Sequence, residues 1–305
     1  MRSGFAATMT AVGTDDPALF VLVGDIGAFG LRHFAAACPG RFKNVGIREQ
    51  AMASAAAGLA ATGFIPVLHS ITSFVVERCF EQLKDDFCYA RLPGNIVSVG
   101  GGIDYAGLGC THHSYSDVAL LKSLPGTQVF CVGSPQEFDQ LFRATYRSGA
   151  LNYFRLSDRP HGIDLAEHPI GVGRAAVVRT GTEVTLITAG ELLGSCVDVA
   201  REIGGASCEV LYAPSIKPFD AETVRASVRK TRRVVVAEEH NVLGGLGDEV
   251  RRSLDNLGTN YQITSLGIQD QFLRDYGSRQ HLLRLAGLAP TDLLRATRTL
   301  MQSPA

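Results

Sequence analysis

The sequence predicts an α/β protein of two doubly wound domains with mainly parallel sheets, and three observations lead to this prediction. Short apolar runs with the length and composition of buried strands recur along the chain. Helical stretches alternate with these runs, which is typical of parallel sheets covered by helices. The length of 305 residues is enough for two hydrophobic cores.

The first predicted domain spans residues 1–165. Its predicted strands are residues 19–24, 65–69, 95–99, 128–132 and 151–156. Its predicted helices are residues 47–62, 74–87, 116–122 and 135–148, and the last begins with a Ser-Pro start signal. Residues 100–114 form a long glycine-rich loop, which permits the close approach of a ligand to the backbone.

The composition changes between residues 157 and 174, where proline and glycine interrupt any periodicity and indicate a domain boundary. The second predicted domain spans residues 172–305 and repeats the alternation on a smaller scale. Its predicted strands are residues 184–189, 208–212 and 233–238, and its predicted helices are residues 192–203, 220–230, 245–257 and a helical tail at 282–301.

Composition excludes several classes of function. The formal net charge of −1 gives no reason to expect nucleic acid or an anionic membrane as a partner. Seven scattered cysteines without ligand spacing predict reduced thiols in a cytoplasmic protein and no metal site in this chain. Residues 51–76 lack acidic and basic residues apart from a histidine, but Pro66 and several hydroxyl side chains favour a buried helix and strand over a membrane span.

Polar features recur where predicted strands of the first domain end or where the following helices begin. They are Gly24-Asp25, residues 46–50, the turn at 70–74 and Thr111-His112-His113. Ligands of doubly wound sheets bind outside the carboxyl ends of the strands, so we expect one site built from several loops. Each feature also has an ordinary structural explanation, such as a helix cap for Asp25 or the helix dipole for Glu49. Their recurrence at one edge favours a functional site.

The segment Gly-Ile-Arg-Glu-Gln-Ala-Met at residues 46–52 resembles the signature of the transketolase family of thiamine diphosphate enzymes. Further landmarks follow in the family's order between residues 20 and about 250. They are Phe-Glu-Gln-Leu (80–83), Gly-Cys-Thr-His-His (109–113), Ser-Leu-Pro-Gly (123–126), Arg-Leu-Ser-Asp-Arg-Pro (155–160), Ser-Ile-Lys-Pro-Phe-Asp (215–220), Ala-Glu-Glu-His (237–240) and Gly-Gly-Leu-Gly (244–247). Any single landmark is weak, but the set is specific to the superfamily.

The resemblance implies that a pyrimidine-binding domain is followed by a smaller transketolase C-terminal domain. Glu49 would hydrogen-bond the aminopyrimidine ring of the cofactor and so favour removal of the thiazolium C2 proton. Phe74 is the candidate to hold the pyrimidine ring. Val75 and Val76 are alternatives for the same role.

The resemblance also implies a fuller set of contacts. The predicted cofactor contacts are Asp25, Ile26, Ile47, Glu49 and Phe74. The predicted substrate contacts are His69, His112 and Arg159. His112 matches a family histidine that faces the oxygens of the sugar, and we expect it to act in catalysis together with Glu49.

In the family, diphosphate and magnesium are bound through Gly-Asp-Gly followed by Asn, whereas Gly24-Asp25 here is followed by Ile26. The chain is therefore expected to be one subunit of a split transketolase. Thiamine diphosphate and Mg²⁺ would be held mainly by a diphosphate-binding partner subunit, in an α2β2 heterotetramer of the kind the family architecture implies.

Three alternatives stay open. They are the β subunit of a 2-oxo acid dehydrogenase, a fragment of a deoxyxylulose-phosphate-synthase-like enzyme, and a non-catalytic scaffold subunit. The Ile-Arg-Glu-Gln and Thr-His-His elements favour a transketolase over the dehydrogenase. A buried Glu49 without a ligand or partner would be costly, which disfavours the scaffold.

The substrate is expected to be a sugar or sugar phosphate, and departures from the family pattern bear on which. Leu108 replaces an aspartate that contacts a sugar hydroxyl, while Gly100 and Phe29 align with a histidine and a serine used for phosphate. Arg159 remains as a phosphate-side cation. We therefore predict a substrate that is less phosphorylated or bulkier than a pentose phosphate, as in secondary metabolism, unless the partner subunit supplies cations.

Overall fold

The computed structural model describes residues 1–303 and contains two helix-covered sheets. The elements up to residue 156 are α1 (Arg2–Asp15), β1 (Leu19–Val23), α2 (Arg32–Ala37), β2 (Phe42–Asn44), α3 (Glu49–Ala61), β3 (Ile65–Ile71), the π-helical segment π1 (Ser73–Glu77), α4 (Phe80–Gln82), π2 (Leu83–Tyr89), β4 (Gly94–Val99), α5 (Asp117–Ser123), β5 (Thr127–Val132), α6 (Pro135–Thr145) and β6 (Leu151–Leu156). The later elements are β7 (Ala176–Arg179), β8 (Val184–Thr188), α7 (Leu192–Ile203), β9 (Cys208–Tyr212), β10 (Ser215–Lys217), α8 (Ala221–Thr231), β11 (Arg233–Asn241), α9 (Leu246–Ser253), β12 (Gln262–Ile268), α10 (Arg279–Leu285) and α11 (Pro290–Gln302).

The first sheet has seven strands in the order β10-β5-β6-β4-β3-β1-β2, and its pairings are parallel except for β10. The second sheet has the order β12-β11-β8-β9-β7, with β7 antiparallel. Strands β3 and β4 are buried at every position, as expected for parallel strands covered by helices on both faces. The predicted α/β fold with mainly parallel sheets is confirmed.

Several elements were not predicted from the sequence. Helix α1 has weak amphipathic patterning, although Phe5, Met9 and Val12 are buried at helical spacing. Strands β2, β7 and β12 lie at sheet edges, where incomplete burial weakens the hydrophobic signal. The predicted helical tail is divided into α10 and α11.

The predicted continuous helix at residues 74–87 is instead two π-helical segments around the short helix α4. In π1, the backbone N–H of Arg78 donates to the carbonyl of Ser73 at 3.0 Å, which is the i→i+5 bond of a π-helix. An amphipathic pattern does not distinguish this winding from an α-helix over so few turns. The altered winding sets the direction of the side chains at the start of this segment.

The chain passes from the first sheet to the second between the end of β6 and the start of β7, and the predicted domain limits near residues 165 and 172 fall in this segment. Strand β10 then returns to the first sheet, where Ser215 pairs with Phe130 and Lys217 with Val129. The Nζ of Lys217 donates to the carbonyl oxygens of Lys122 and Leu124 at 3.0 and 2.7 Å. The two sheets are therefore connected by strand pairing as well as by the chain. No described helix has the length and apolarity needed to cross a membrane.

Candidate active site

The register of the first sheet brings several predicted site segments to one edge. Val23 at the end of β1 pairs with His69 on β3, and His69 pairs with Val97 on β4. The turn after β1, the start of α3 and the loop after β4 therefore meet at the carboxyl edge of the sheet. This is the edge at which ligands bind in doubly wound folds.

Glu49 is buried at the first position of α3, with only 1% of its surface exposed. Its Oε2 accepts a hydrogen bond from Arg78 Nη1 at 2.7 Å, and its Oε1 accepts one from Ser70 Oγ at 3.2 Å. A Cβ atom at Gly24 would lie 3.0 Å from Glu49 Cγ and 3.2 Å from Ser70 Oγ. The absence of a side chain at Gly24 therefore leaves space for the carboxylate of Glu49, and the two donors fix the orientation of that carboxylate.

Phe74 is connected to this carboxylate by Arg78, which contacts both. The Cζ of Arg78 is 4.3 Å from the centroid of the Phe74 ring. The ring also meets His112 edge-on, with centroids 5.2 Å apart. Val75 and Val76 are fully buried, whereas Phe74 is partly exposed. Among these three candidates, Phe74 is the residue that reaches the site.

His112 lies on the glycine-rich loop that follows β4. Its Nδ1 is 2.9 Å from Thr111 Oγ1, and its ring is 6.0 Å from that of Tyr105. Ser73 Oγ donates to the carbonyl of Thr111 at 3.2 Å, which joins the loop to π1. The structure thus brings His112 and Phe74 together, with Glu49 connected to them through Arg78.

The far end of the loop is held by Glu77, the last residue of π1. Its Oε1 accepts hydrogen bonds from the Oγ atoms of Ser114 and Ser116, both at 2.7 Å. Burial raises the pKa of Glu77, and the two hydroxyl donors oppose that shift. Gly102 and Ser114 also pair across the base of the loop. Both ends of the loop are therefore anchored.

Three predicted cofactor contacts lie on the exposed side of this edge. Asp25 has a positive φ of 68° and forms two hydrogen bonds with Asn44. The backbone N–H of Asp25 donates to Asn44 Oδ1 at 3.1 Å, and Asn44 Nδ2 donates to Asp25 Oδ1 at 3.2 Å. Ile26 is partly buried, and 72% of the surface of Ile47 is exposed. Asn44 thus holds the turn after β1 in a conformation that aspartate and asparagine tolerate better than most side chains.

His69, a predicted substrate contact, is buried beneath the turn after β1. Its Nδ1 is 2.7 Å from the carbonyl oxygen of Val97, its ring is 4.5 Å from that of Phe5, and a Cβ atom at Gly27 would lie 2.6 Å from Nε2. Burial lowers the pKa of His69 to about 4, with the charge of Arg2 as a smaller contribution. His69 is therefore neutral near pH 7 and supplies no positive charge.

Arg2, which the sequence did not suggest, lies at the same edge. It donates to the hydroxyl of Tyr105, and its Cζ is 5.9 Å from the centre of that ring. Arg159 is exposed and follows Asp158, whose N–H donates to Asp104 at 2.9 Å. Of these two arginines, Arg2 is the one that contacts Tyr105. No local signal could have identified Arg2, because its partner is 103 residues away in the sequence.

Metal-ligating side chains do not converge here. Within residues 1–303, no group of three or more histidine, cysteine, aspartate and glutamate residues is placed to hold a metal ion.

This fold and this site define an α/β chain with a polar site at the carboxyl edge of its first parallel sheet. Residues 1–159 match the model of the transketolase pyrimidine binding domain, and residues 173–293 match that of the transketolase C-terminal domain. The chain therefore belongs to the transketolase family.

Relatives of the chain include subunits of split transketolases. It is 31% identical to the 6-deoxy-6-sulfo-D-fructose transketolase subunit SqwH of Clostridium sp. (strain MSTE9), over 97% of this chain and 92% of that protein. It is 33% identical to the 1-deoxy-D-xylulose-5-phosphate synthase of Pelotomaculum thermopropionicum, over 96% of this chain but only 46% of that enzyme. A solved split gene transketolase, described as an inactive beta4 tetramer, superposes with a TM-score of 0.88 at 28% identity, covering 98% of this chain and 97% of that one.

The pairing of Glu49 with Arg78 leads to a first prediction. Arg78→Met should lower the free energy of unfolding by about 1–3 kcal/mol, because it leaves a buried carboxylate without its charged partner. The double variant Arg78→Met/Glu49→Gln should lose much less stability than the sum of the losses in the two single variants, since the two residues form one interaction. Urea unfolding of the four chains measures this coupling.

Arg143→Met is the matched control, because Arg143 pairs with Asp139 on the protein surface. Its effect should stay within about 0.5 kcal/mol. Strictly additive losses for Arg78 and Glu49 would contradict the predicted coupling.

Proposed function

We propose that this chain is the pyrimidine-binding and C-terminal subunit of a split transketolase. The enzyme would depend on thiamine diphosphate and would transfer a two-carbon ketol unit from a ketose donor to an aldose acceptor. The observation that carries the proposal is the buried carboxylate of Glu49 at the sheet edge, held by Ser70 and Arg78. The family match and the split-transketolase relatives support it.

The residues present fit an aminopyrimidine ring. Glu49 supplies a buried acceptor, Gly24 leaves room for the Glu49 side chain, and Phe74 offers an aromatic surface next to the same cluster. When bound, thiamine diphosphate supplies a nucleophilic carbon and an electron sink. In the proposed mechanism Glu49 shares a proton with a ring nitrogen, and Arg78 and Ser70 keep its carboxylate aimed at that atom. Asp25, Ile26 and Ile47 would contribute further contacts at the exposed rim.

His112 is the proposed contact to the reacting sugar. Thr111 engages its Nδ1, which orients the ring and directs Nε2 towards a substrate hydroxyl or carbonyl oxygen. Its ring lies against Phe74, so the proposed substrate and cofactor contacts adjoin. His69, which is buried and neutral, is the other proposed substrate residue. It would support the substrate-binding turn after β1 from beneath.

A partner subunit would supply the diphosphate-binding half and the Mg²⁺, in an α2β2 heterotetramer. Relatives named as transketolase subunits support the need for a partner. The proposed compartment is the cytoplasm, which fits the seven cysteines, since all of them are free thiols.

Reconstitution is the experiment that tests the proposal. The purified chain alone should not turn over a ketose. Mixing it with a diphosphate-binding partner subunit should produce ketol transfer that requires both thiamine diphosphate and Mg²⁺. Catalysis by the chain alone would refute the split-enzyme proposal. Formation of a 1-deoxyketose from pyruvate by the mixture would instead favour the alternative that the synthase relatives suggest.

Glu49→Gln should leave the fold intact and slow hydrogen–deuterium exchange at C2 of the bound cofactor. Loss of a proton-transfer group lowers such rates by about 10²–10⁴-fold. Nuclear magnetic resonance of the quenched cofactor measures the exchange in the assembled enzyme. Glu81→Gln is the control, because Glu81 is exposed on the neighbouring helix α4. A wild-type exchange rate in Glu49→Gln would remove Glu49 from the mechanism.

The proposed donor or acceptor is less phosphorylated or bulkier than a pentose phosphate, as in secondary metabolism. The replacements at Phe29, Gly100 and Leu108 support this. Arg2 contacts Tyr105 at the sheet edge, and Arg159 is the phosphate-side cation that the family resemblance implies. We expect kcat/KM for xylulose to lie within about tenfold of that for xylulose 5-phosphate, a difference of about 1.4 kcal/mol.

Arg2→Met should reduce any remaining preference for the phosphate ester, because Arg2 would supply a charge-assisted contact. Arg201→Met, which removes an exposed arginine paired with Asp198 on α7, is the control. A preference for the ester of several hundredfold would overturn the proposed substrate class.

A further inference from the structure

The glycine-rich loop that carries His112 is bound from two directions. Ser73 and Glu77 hold it from within the first sheet's layer. On the opposite side it faces β11 and the segment before α10, which belong to the second sheet's layer. The contacts from this second side involve charged groups that the proposed chemistry does not use.

Glu239 on β11 makes the most direct of these contacts. Its Oε1 accepts the backbone N–H of Ile103 at 2.8 Å, and a Cβ atom at Gly102 would lie 2.5 Å from the same oxygen. The backbone carbonyl of Glu239 accepts a hydrogen bond from Arg155 Nη2 at 2.7 Å. The start of the loop therefore lies directly on this carboxylate, and a side chain at residue 102, where φ is 61°, would displace it.

Arg279, the first residue of α10, holds the acidic groups around the loop together. Its guanidinium pairs with Glu239 and with Glu191, and its Nε lies 3.5 Å from Asp104 Oδ1. The exposed side-chain fractions are 14% for Arg279 and 4–12% for its three partners. One cation thus bridges three nearly buried carboxylates, one of which, Asp104, belongs to the loop.

These carboxylates line an interdomain cavity of about 50 Å³ together with Arg155. Burial raises the pKa values of both Glu239 and Asp104, and the charge of Asp104 raises that of Glu239 further. The guanidinium of Arg155 opposes both shifts, and that of Arg279 opposes the shift of Asp104. Without Arg279, the carboxylates would be left close together in a space with little water. Loss of Arg279 would remove the ion pairs that connect Asp104, and with it the loop, to Glu239 and Glu191.

A second contact joins the same segment to the part of the loop nearest His112. The backbone N–H of Gly277 lies 3.4 Å from the carbonyl of Ala106. The ring of Tyr276 covers Gly109, where a Cβ atom would lie only 2.3 Å from that ring. The carbonyl of Gly109 in turn accepts the backbone N–H of His112 at 2.9 Å. The segment at 276–279 therefore runs alongside the turn on which His112 is mounted.

We propose that Arg279 is a positioning residue that, from the second domain, fixes the glycine-rich loop and thereby aligns His112 with the sugar. Arg279 acts through Glu239 and Asp104 and does not touch the reacting atoms. The inference rests on the proposed function, because His112 is a substrate contact only if the chain acts on sugars. The Glu49 side of the site is independent of this contact.

Arg279→Gln in the assembled enzyme is the decisive variant. We expect kcat/KM for the donor ketose to fall by about 10–10²-fold, as for a misplaced catalytic contact. Exchange at the cofactor C2 should stay within about twofold, because it depends on Glu49. Combining Arg279→Gln with His112→Ala should add little to the loss caused by His112→Ala alone, because both remove the same contact.

Three comparisons complete the test. Arg279→Lys keeps the positive charge and should have more activity than Arg279→Gln. If Arg279→Gln does not fold, all the measurements are made on Arg279→Lys instead. Arg284→Gln, on the exposed side of α10, should behave as wild type. Hydrogen exchange of the backbone amides, measured by mass spectrometry on the full chain, should become faster at residues 100–114 in Arg279→Gln than in Arg284→Gln.

Unchanged amide exchange in the loop, or additive losses for Arg279 and His112, would overturn the inference. A parallel loss of C2 exchange and turnover would also overturn it, since Arg279 would then affect the whole site. If the wild-type enzyme transfers no ketol unit, the proposed function fails. The amide exchange then still decides whether Arg279 holds the loop.

Discussion

The buried carboxylate of Glu49 is the constraint on which the rest of the site depends. A charge at this depth must be paired, and its partners come from two other elements, Ser70 on β3 and Arg78 after π1. The parallel register places β1 and β3 so that Gly24 leaves room for the side chain. The π-helical turn then places Arg78 between Glu49 and Phe74. The sheet register, Gly24 and the π-helical winding thus all help to accommodate and pair the carboxylate of Glu49.

Much of this arrangement could be predicted from the sequence, because it depends on local patterns. The alternation of apolar runs and helices indicates the sheet, and the rule that ligands bind at carboxyl ends of strands brings Glu49 and His112 to one edge. The remainder depends on long-range contacts. Arg2 meets Tyr105, and Glu239 meets Ile103 across 136 residues, without any signal in either neighbourhood. The winding at Arg78 was hidden for a different reason, since α- and π-helical turns share one hydrophobic pattern.

The glycine-rich loop shows how conformational freedom and precise placement coexist in one segment. Its glycines admit positive φ angles at residues 100, 102 and 109 and allow Glu239 and Tyr276 to approach the backbone closely. Such freedom alone would leave the loop mobile. Hydrogen bonds that Glu77 accepts on one side and Glu239 accepts on the other restrict this freedom. The second sheet thus contributes to a site formed by residues of the first.

The position of strand β10 limits how domains could be exchanged between this chain and its relatives. Although it follows three strands of the second sheet, it lies at the edge of the first, with Lys217 bound to carbonyl oxygens at the C-terminal end of α5. A chimaera joined in the segment between β6 and β7 would therefore bring a foreign edge strand into an otherwise native sheet. Exchange of whole domains between family members would succeed only when the lysine and the carbonyl groups that receive it are inherited as a matched pair.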